Sequence, residues 1–138
     1  MKLLLDTHTF LWWDGQKDKL TPSTLTLCQD ETNDLFLSMV SIWEIQIKVQ
    51  LKKLILRIPL PDIILHQQQT NQLQILPITL EHIFALETLP HHHRDPFDRL
   101  IIAQSMVEQL PVITVDSAFK MYPIETLWYN LPTAIANE

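Results

Sequence analysis

Residues 2–6 read KLLLD, a short, unbroken apolar run that ends in a carboxylate. A run of this length is short for a helix and indicates a strand buried on both faces. The same pattern returns in PVITVD at residues 111–116, and a shorter apolar run, LFLS, occupies residues 35–38. Uniformly apolar strands are typical of parallel sheets, so these stretches predict an α/β fold.

Segments with helical character separate these strands along the chain. The sequence predicts helices at 7–13, from 22 onward, and at 41–54, 61–72, 80–89 and 97–109. It predicts two further strands, at 74–79 and 124–130. This alternation favours a mostly parallel central sheet with helices on both faces. We expect residues 1–130 to form a single domain and residues 131–138 to be a frayed C-terminal tail.

The composition excludes several classes of function. The net charge of −6 argues against a broad basic surface for nucleic acid. The single glycine, Gly15, excludes a glycine-rich phosphate loop and a dinucleotide-binding fingerprint. Cys28 is the only cysteine, so no internal disulfide can form. No stretch approaches the ~20 apolar residues of a membrane span, and we expect a soluble, cytoplasmic protein.

Four carboxylates stand at positions that the predicted fold would bring to one edge of the sheet. Asp6 and Asp116 end strands, whereas Glu44 and Asp98 lie early in predicted helices, and ligands bind beyond the carboxyl ends of parallel strands. Converging carboxylates repel one another unless a cation lies among them. Hard oxygen ligands suit Mg²⁺ or Mn²⁺. The four acids therefore predict a divalent metal site.

Each carboxylate also has a structural explanation. Asp6 and Asp116 could cap the helices that follow their strands. Glu44 could form a capping box with Ser41 or an ion pair with Lys48. Within DPFDR, Asp95 is a natural helix cap, and a charge at Asp98 would complement the helix dipole. We expect Asp95 to hold the helix and Asp98 to face the metal.

Four stretches of the sequence resemble, in order, the motifs of PIN-domain proteins: LLLDTHTFLWW, SMVSIWEIQIK, LPHHHRDPFDRLIIAQ and TVDSAF. They are most similar to the VapC-type toxins of bacterial toxin–antitoxin pairs, and the resemblance runs from about residue 2 to about 122. The DPFDRLIIAQ motif is specific, whereas DTH and TVD alone are weak. The resemblance implies a PIN-like three-layer fold, metal-dependent endoribonuclease activity and a cognate antitoxin. It places the acidic site at Asp6, Glu44, Asp98 and Asp116, with Asp95 nearby.

The sequence departs from these relatives in two places. Similar members carry a glycine before the lysine and leucine that close the Glu44 helix, whereas this chain has LKKL at residues 51–54. Because of that difference, the sequence does not define the residue at which the helix ends. The histidine run before RDPFDR, residues 91–93, is also longer than the single histidine expected there.

Several further side chains could assist the four acids. Thr7, Ser41 and Thr114 flank them and could hydrogen-bond a carboxylate or a metal-bound water. Arg99 could contact an RNA phosphate or Asp95, and an ordinary surface salt bridge is an equal alternative. The only basic patch, which could follow an RNA backbone or be a solvated helix face, consists of Lys48 and Lys52 on one helical face, followed by Lys53 and Arg57.

The histidines and tryptophans have less specific interpretations. His91, His92 and His93 lack the spacing of a transition-metal site, so a solvated loop near the acids, in contact with phosphate, is the favoured interpretation. The four tryptophans belong to the core or to an interface by default: Trp12, Trp13, Trp43 and Trp128. Because this number is high for a core of this size, we expect a homodimer that also binds an antitoxin peptide in an apolar groove.

Together these features predict hydrolysis of RNA phosphodiesters at a site with one or two Mg²⁺ ions. Water activated by the metal and by one carboxylate would attack phosphorus and leave a 5′ phosphate and a 3′ hydroxyl. Two alternatives stay open. A receiver-like phosphotransferase would need a lysine close to the acids after a late strand, and Lys120 is the first candidate. A catalytically silent PIN-like interaction module would keep the fold without the chemistry.

Overall fold

The computed structural model describes residues 1–129. The strands are β1 (Lys2–Leu5), β2 (Asp34–Ser38), β3 (Gln74–Leu76), β4 (Val112–Ile113) and β5 (Thr126–Leu127). The α-helices are α1 (Thr7–Gly15), α2 (Pro22–Gln29), α3 (Met39–Gln50), α4 (Leu60–Asn71), α5 (Leu80–Ala85) and α6 (Pro96–Glu108). Short 3₁₀ helices occupy Lys17–Lys19, Leu86–Thr88 and Ser117–Met121.

The five strands form one sheet in the order β3-β2-β1-β4-β5, and every neighbouring pair is parallel. In the centre, Leu4 pairs with Phe36 on one side and with Val112 on the other. All carboxyl ends of the strands therefore point to the same edge, which confirms the predicted α/β fold with a parallel sheet. We call this edge the carboxyl edge.

The alternation of side chains along β1 divides the core into two clusters. Leu3 and Leu5 pack with Phe10 and Ile45 on one face of the sheet. Leu4 packs on the other face with a cluster that includes Ile101. Successive residues of a strand point to opposite faces, so an apolar β1 buries side chains on both sides. Helices cover both clusters, and the result is the predicted three-layer arrangement.

Helix α3 starts and ends earlier than predicted. It begins at Met39 because the hydroxyl of Ser38 accepts a hydrogen bond from the amide of Val40 and caps the helix. It ends at Gln50, and the backbone of Lys52 turns to a φ of 58° in the left-handed region. The amide of Lys53 then donates to the carbonyl of Lys48, a bond of 2.9 Å that closes the helix as in a Schellman motif. Lys52 thus occupies the position where the similar sequences have glycine.

Other predicted elements are shorter in the structure. Strand β3 ends at Leu76, since Pro77 has no amide to donate to a sheet. The stretch 111–116 contributes only Val112–Ile113 to the sheet, and the stretch 124–130 only Thr126–Leu127. The helix predicted to continue to residue 89 becomes a 3₁₀ helix at Leu86.

The proposed tail, residues 131–138, lies outside the described residues, as does residue 130. The single-domain boundary at residue 130 stays a prediction. Within residues 1–129, no helix is both long and apolar enough to cross a membrane.

Candidate metal centre

Asp6 follows β1 directly and is buried at the carboxyl edge. Its Oδ1 accepts hydrogen bonds from the amides of His8, at 2.7 Å, and Thr9, at 3.2 Å, so it caps α1. Its Oδ2 accepts a bond from the hydroxyl of Thr114. Burial raises the pKa of Asp6, and the bond from Thr114 opposes that rise. Asp6 therefore performs the predicted capping role, and Thr114 contacts the acid as predicted.

Glu44 projects from α3 and is 4% exposed. Its Oε2 lies 3.0 Å from Nζ of Lys48, which is the predicted ion pair. Its Oε1 is the one buried side-chain nitrogen or oxygen in residues 1–129 that has no hydrogen-bond partner. A buried carboxylate oxygen without a partner is costly, on the order of 1–3 kcal/mol. The fold leaves this oxygen free at the carboxyl edge.

The predicted capping box of Ser41 and Glu44 is wrong. Helix α3 is capped by Ser38, so Ser41 lies inside the first turn rather than ahead of it. The hydroxyl of Ser41 instead accepts a hydrogen bond of 2.8 Å from the hydroxyl of Thr7. This buried bond joins the start of α1 to α3 and fixes the helices that carry Thr7 and Glu44 against each other.

Asp95 has the capping role that the sequence predicted at the start of α6, and Asp98 lies in the first turn of that helix. Asp95 caps α6, because its Oδ1 accepts from the amides of Phe97, at 2.8 Å, and Asp98, at 3.4 Å. Burial raises the pKa of Asp98 to about 7, and the charges of Asp95, Asp6 and Glu44 add to this rise. Asp98 thus lies within the field of two acids from other elements.

His93 lies between Asp98 and Asp116. Its Nε2 is 2.9 Å from Oδ2 of Asp98 and 3.1 Å from Oδ2 of Asp116. These three side chains offer potential ligand atoms that all lie within 4.8 Å of one another. Asp116 also caps the following 3₁₀ helix through a 2.9 Å bond from the amide of Ala118. The carboxyl edge therefore gathers Asp98 and Asp116 around one imidazole.

The position of His93 in the site did not follow from the sequence. His91 and His92 are exposed in the loop, as expected for solvated histidines, whereas His93 is turned inward. The ring of His92 packs edge-on against Tyr122 at 5.2 Å. One feature of the sequence could have indicated this role: His93 stands two residues before the helix cap and five residues before Asp98.

Arg99 supports the histidine loop, defined as residues 89–93. Its Nη1 donates to the carbonyls of Pro90, at 2.8 Å, and His93, at 3.3 Å, and its Nη2 donates to that of Leu89, at 3.2 Å. The guanidinium is therefore bound to backbone oxygens and not to Asp95, which was one of the alternatives that the sequence left open. From the first turn of α6, the long side chain of Arg99 reaches the loop carbonyls and holds the loop against the helix start.

The basic patch is divided in the structure. Lys48 pairs with Glu44, and Arg57 pairs with Asp14 at 3.1 Å. Lys52 lies beyond the end of α3, so the prediction that Lys48 and Lys52 share a helical face is wrong. Lys48 and Lys53, however, line the same cleft of about 190 Å³.

The donor set fits a hard divalent cation. Carboxylate oxygens dominate the carboxyl edge, one of them is a buried orphan, and Asp98 has a pKa raised in part by its neighbours' charges. Mg²⁺ and Mn²⁺ favour such oxygen ligands. A cation bound at Glu44 would satisfy its free oxygen, and the positive charge would also offset the repulsion at Asp98, whose pKa is raised in part by the charge of Glu44.

The fold and the site together define a class of protein: parallel α/β domains with an acidic carboxyl edge. The sequence profile of the PIN domain matches residues 3–125, and the chain belongs to the PIN-domain family. No curated protein matches it significantly.

Three solved structures have a similar fold. VapBC2 from Rickettsia felis, crystallised with a DNA fragment from its promoter, matches with a TM-score of 0.70 and 17% identity, over 94% of this chain and 100% of that chain. DNA-bound VapBC from Salmonella typhimurium matches with a TM-score of 0.65 and 15% identity, over 92% and 97%. FitAcB from Neisseria gonorrhoeae matches with a TM-score of 0.60 and 18% identity, over 92% and 96%.

Proposed function

We propose that this protein is a VapC-type toxin, a metal-dependent endoribonuclease that a cognate antitoxin neutralises. The observation that carries the proposal is the free oxygen of Glu44, which is buried beside other acids and is bound by no side chain. Buried polar atoms in native structures nearly always have a hydrogen-bond partner, and an exception of this kind points to a bound ion or ligand. A divalent cation at the carboxyl edge is the simplest partner for it.

The ligand set comprises four acids: Asp6, Glu44, Asp98 and Asp116. A bound Mg²⁺, or Mn²⁺ in its place, would lower the pKa of a coordinated water and offset charge on the phosphoryl group. The side chains supply the rest of the site. Thr114 orients Asp6, and Lys48 holds one oxygen of Glu44 and leaves the other without a partner. We expect products with a 5′ phosphate and a 3′ hydroxyl.

A bound RNA strand would run from the acids into the neighbouring cleft. Its lining includes Thr7 next to Asp6, and the two amines of Lys48 and Lys53. Lysine amines bind backbone phosphates, and an aromatic ring can stack on an unpaired base. Trp12 lies in the same cleft and offers such a ring. These local cations would offset the negative charge of the protein where the substrate binds.

An antitoxin would need an apolar surface, and the segment after α3 provides one. A groove of about 570 Å³ is lined by Val49 and by residues 52 and 54–60. Ile55 in this segment is 93% exposed. We propose that an antitoxin peptide covers this groove, since an apolar strip of this kind is a usual docking site for a partner segment. The complexes among the structural relatives support a partner of this kind.

A second surface suits a homodimer. Helix α5 exposes Leu80 and Phe84, and both side chains are about two-thirds accessible. A short helix with an apolar outer face is a natural contact between two copies of a chain. We propose that α5 contributes to a dimer and that the protein acts in the cytoplasm. Sedimentation at tens of micromolar tests the dimer, and a monomer there would contradict it.

A catalytically silent PIN-like interaction module is the alternative. It is favoured by the contacts that the acids already make with Lys48 and His93, which partly neutralise them without a metal. The two functions differ in one measurable respect, because a silent module would bind no divalent cation and cleave no RNA.

The test is RNA cleavage by the purified, antitoxin-free protein with Mg²⁺ or with EDTA, followed by mapping of the product ends. Asp98→Asn keeps the shape of the side chain but removes its charge, and cleavage should fall at least ~100-fold. Glu31→Gln is the matched control, because Glu31 is an exposed acid that precedes β2 at the opposite edge of the sheet. Near wild-type cleavage by Asp98→Asn would refute the assignment.

A further inference from the structure

The histidine loop places one imidazole in the acidic site. His93 has a side chain that is 16% exposed, and its Nε2 lies within 3.1 Å of carboxylate oxygens of both Asp98 and Asp116. These two acids come from different elements, the first turn of α6 and the segment after β4. His93 is therefore the direct link between them.

The other nitrogen of the ring fixes the position of the proton. Nδ1 of His93 receives a hydrogen bond of 3.2 Å from the backbone amide of Asp95. A backbone amide can only donate, so Nδ1 must be the acceptor and carries no proton. In the neutral ring the proton then lies on Nε2, the atom that faces the carboxylates. His93 is thus a hydrogen-bond donor to Asp98 and Asp116.

This tautomer is incompatible with His93 as a metal ligand. A metal ion binds the lone pair of an imidazole nitrogen, and the nitrogen that faces the site carries a proton instead. Direct ligation through Nε2 would move the proton to Nδ1 and break the bond from the amide of Asp95, next to the cap of α6. The geometry favours a donor that acts on the ligands over a ligand.

Contacts with Tyr122, Arg99 and Phe119 hold the ring and its backbone in place. The amide of His93 donates to the hydroxyl of Tyr122 at 2.8 Å, and that hydroxyl donates to the carbonyl of Pro90 at 2.8 Å. Arg99 binds the carbonyl of His93. The ring of Phe119 packs edge-on against the imidazole at 5.9 Å. Together with the bond to Nδ1, these contacts fix the direction of the Nε2–H bond.

We propose that His93 is a positioning residue that holds Asp98 and Asp116 in the arrangement a divalent cation needs. This role rests on the proposed function. Two facing carboxylates repel each other, and a neutral donor shared between them keeps them together without adding a charge that would repel the cation. Groups that hydrogen-bond metal ligands in this way commonly change metal affinity by about 10–100-fold when removed.

Calorimetric titration of the antitoxin-free protein with Mn²⁺ and with Mg²⁺ tests the role. His93→Ala should bind Mn²⁺ at least ~10-fold more weakly than wild type. His93→Gln, whose side-chain amide can donate from a similar distance, should recover most of the affinity. His91→Ala is the matched control, because His91 is exposed in the same loop, and should bind as wild type does.

The possible results separate the two proposals. If wild type binds neither ion, the proposed function fails, and the role of His93 fails with it. If wild type binds Mn²⁺ and His93→Ala binds it equally well or more tightly, only the role of His93 is overturned. Failure of His93→Gln to recover affinity would also overturn the donor role and indicate direct ligation.

A second measurement needs neither metal nor substrate. In metal-free protein labelled with ¹⁵N-histidine, two-bond ¹H–¹⁵N spectra distinguish a protonated Nε2 from a protonated Nδ1. We expect the pattern of the Nε2–H tautomer for His93, and the same tautomer after Mg²⁺ is added. An Nδ1–H pattern in either state would overturn the proposal.

Discussion

Lys48 and Glu44 form an ion pair that satisfies only half of the glutamate: Nζ of Lys48 is 3.0 Å from Oε2, while the buried Oε1 has no partner. The two residues are one turn apart on α3, so the helix itself brings them together. The lysine is partly exposed and the glutamate is buried. The pair thus neutralises one side of the carboxylate and leaves the other side without a partner.

Replacing Lys48 by methionine should lower the stability of the metal-free protein. The change leaves the buried charge of Glu44 unpaired, and we expect a loss of about 1–3 kcal/mol in the free energy of unfolding. Excess Mn²⁺ should reduce the difference from wild type, because a cation can take over the role of the amine. Thermal melts in EDTA and in Mn²⁺ measure both effects, with the exposed Lys17→Met as control. An equal loss in the two conditions would contradict a metal at Glu44.

Divalent ions should stabilise the folded protein. An ion that binds only the folded state adds roughly 2.7 kcal/mol at a hundredfold excess over its dissociation constant, which raises the melting temperature by several degrees. Mg²⁺ and Mn²⁺ should both act, since the ligands are hard oxygens. A wild-type melting curve that is the same in EDTA and in excess Mg²⁺ would leave the four acids as structural residues.

Asp116→Asn separates the metal role from the capping role. Asparagine can still accept the bond from the amide of Ala118, so the cap is kept while the charge is lost. In EDTA we expect a melting temperature slightly above that of wild type, because repulsion among the acids is relieved. With Mg²⁺ the gain should be smaller than for wild type. A mutant that is less stable in EDTA and gains as much from Mg²⁺ would show that the cap alone matters.

The sequence predicted the elements that follow from local pattern. The apolar runs around Leu4 and Ile113 indicated a parallel sheet because only a strand buried on both faces needs them. The four candidate acids stood out in the sequence because Asp6 and Asp116 end apolar runs and Glu44 and Asp98 lie early in predicted helices. The capping role of Asp95 was predicted correctly from the chemistry of a helix start.

The sequence could not predict contacts that depend on long-range geometry. The inward turn of His93 requires Tyr122 and Arg99 to hold the loop from two other positions in the chain. The bond between Ser41 and Thr7 requires the packing of α1 on α3. The local pattern at Ser41 matched a capping box, and it misled because Ser38, three residues earlier, is the actual cap.

The stability of the metal-free protein should fall as the pH rises from 5 to 8. Burial raises the pKa of Asp98 from 3.8 to about 7, so between these values the folded state binds a proton that the unfolded state has lost. The contribution of Asp98 is therefore complete below its unfolded pKa and is lost as the pH passes its folded pKa. With allowance for the partial exposure of Asp98, the free energy of unfolding should fall by an amount on the order of 2 kcal/mol.

Denaturant unfolding in EDTA at a series of pH values measures this dependence. Asp98→Asn should flatten it, because the amide does not titrate. The buried Asp6, whose pKa is also raised, should leave a residual slope of the same sign. Equal slopes in wild type and Asp98→Asn would contradict the assignment of the dependence to Asp98.

Lys52→Gly should stabilise the protein. Lys52 has a φ of 58°, a left-handed conformation that costs a residue with a side chain roughly 1–2 kcal/mol and costs glycine little. Glycine also gains entropy in the unfolded chain, which offsets part of the benefit, so we expect a net gain of up to ~1 kcal/mol. The matched control is Gln46→Gly, at an exposed position inside α3, which should instead destabilise by about 1 kcal/mol. Urea unfolding of the three proteins checks both signs, and a loss of stability in Lys52→Gly would mean that the lysine side chain contributes more than its backbone strain costs.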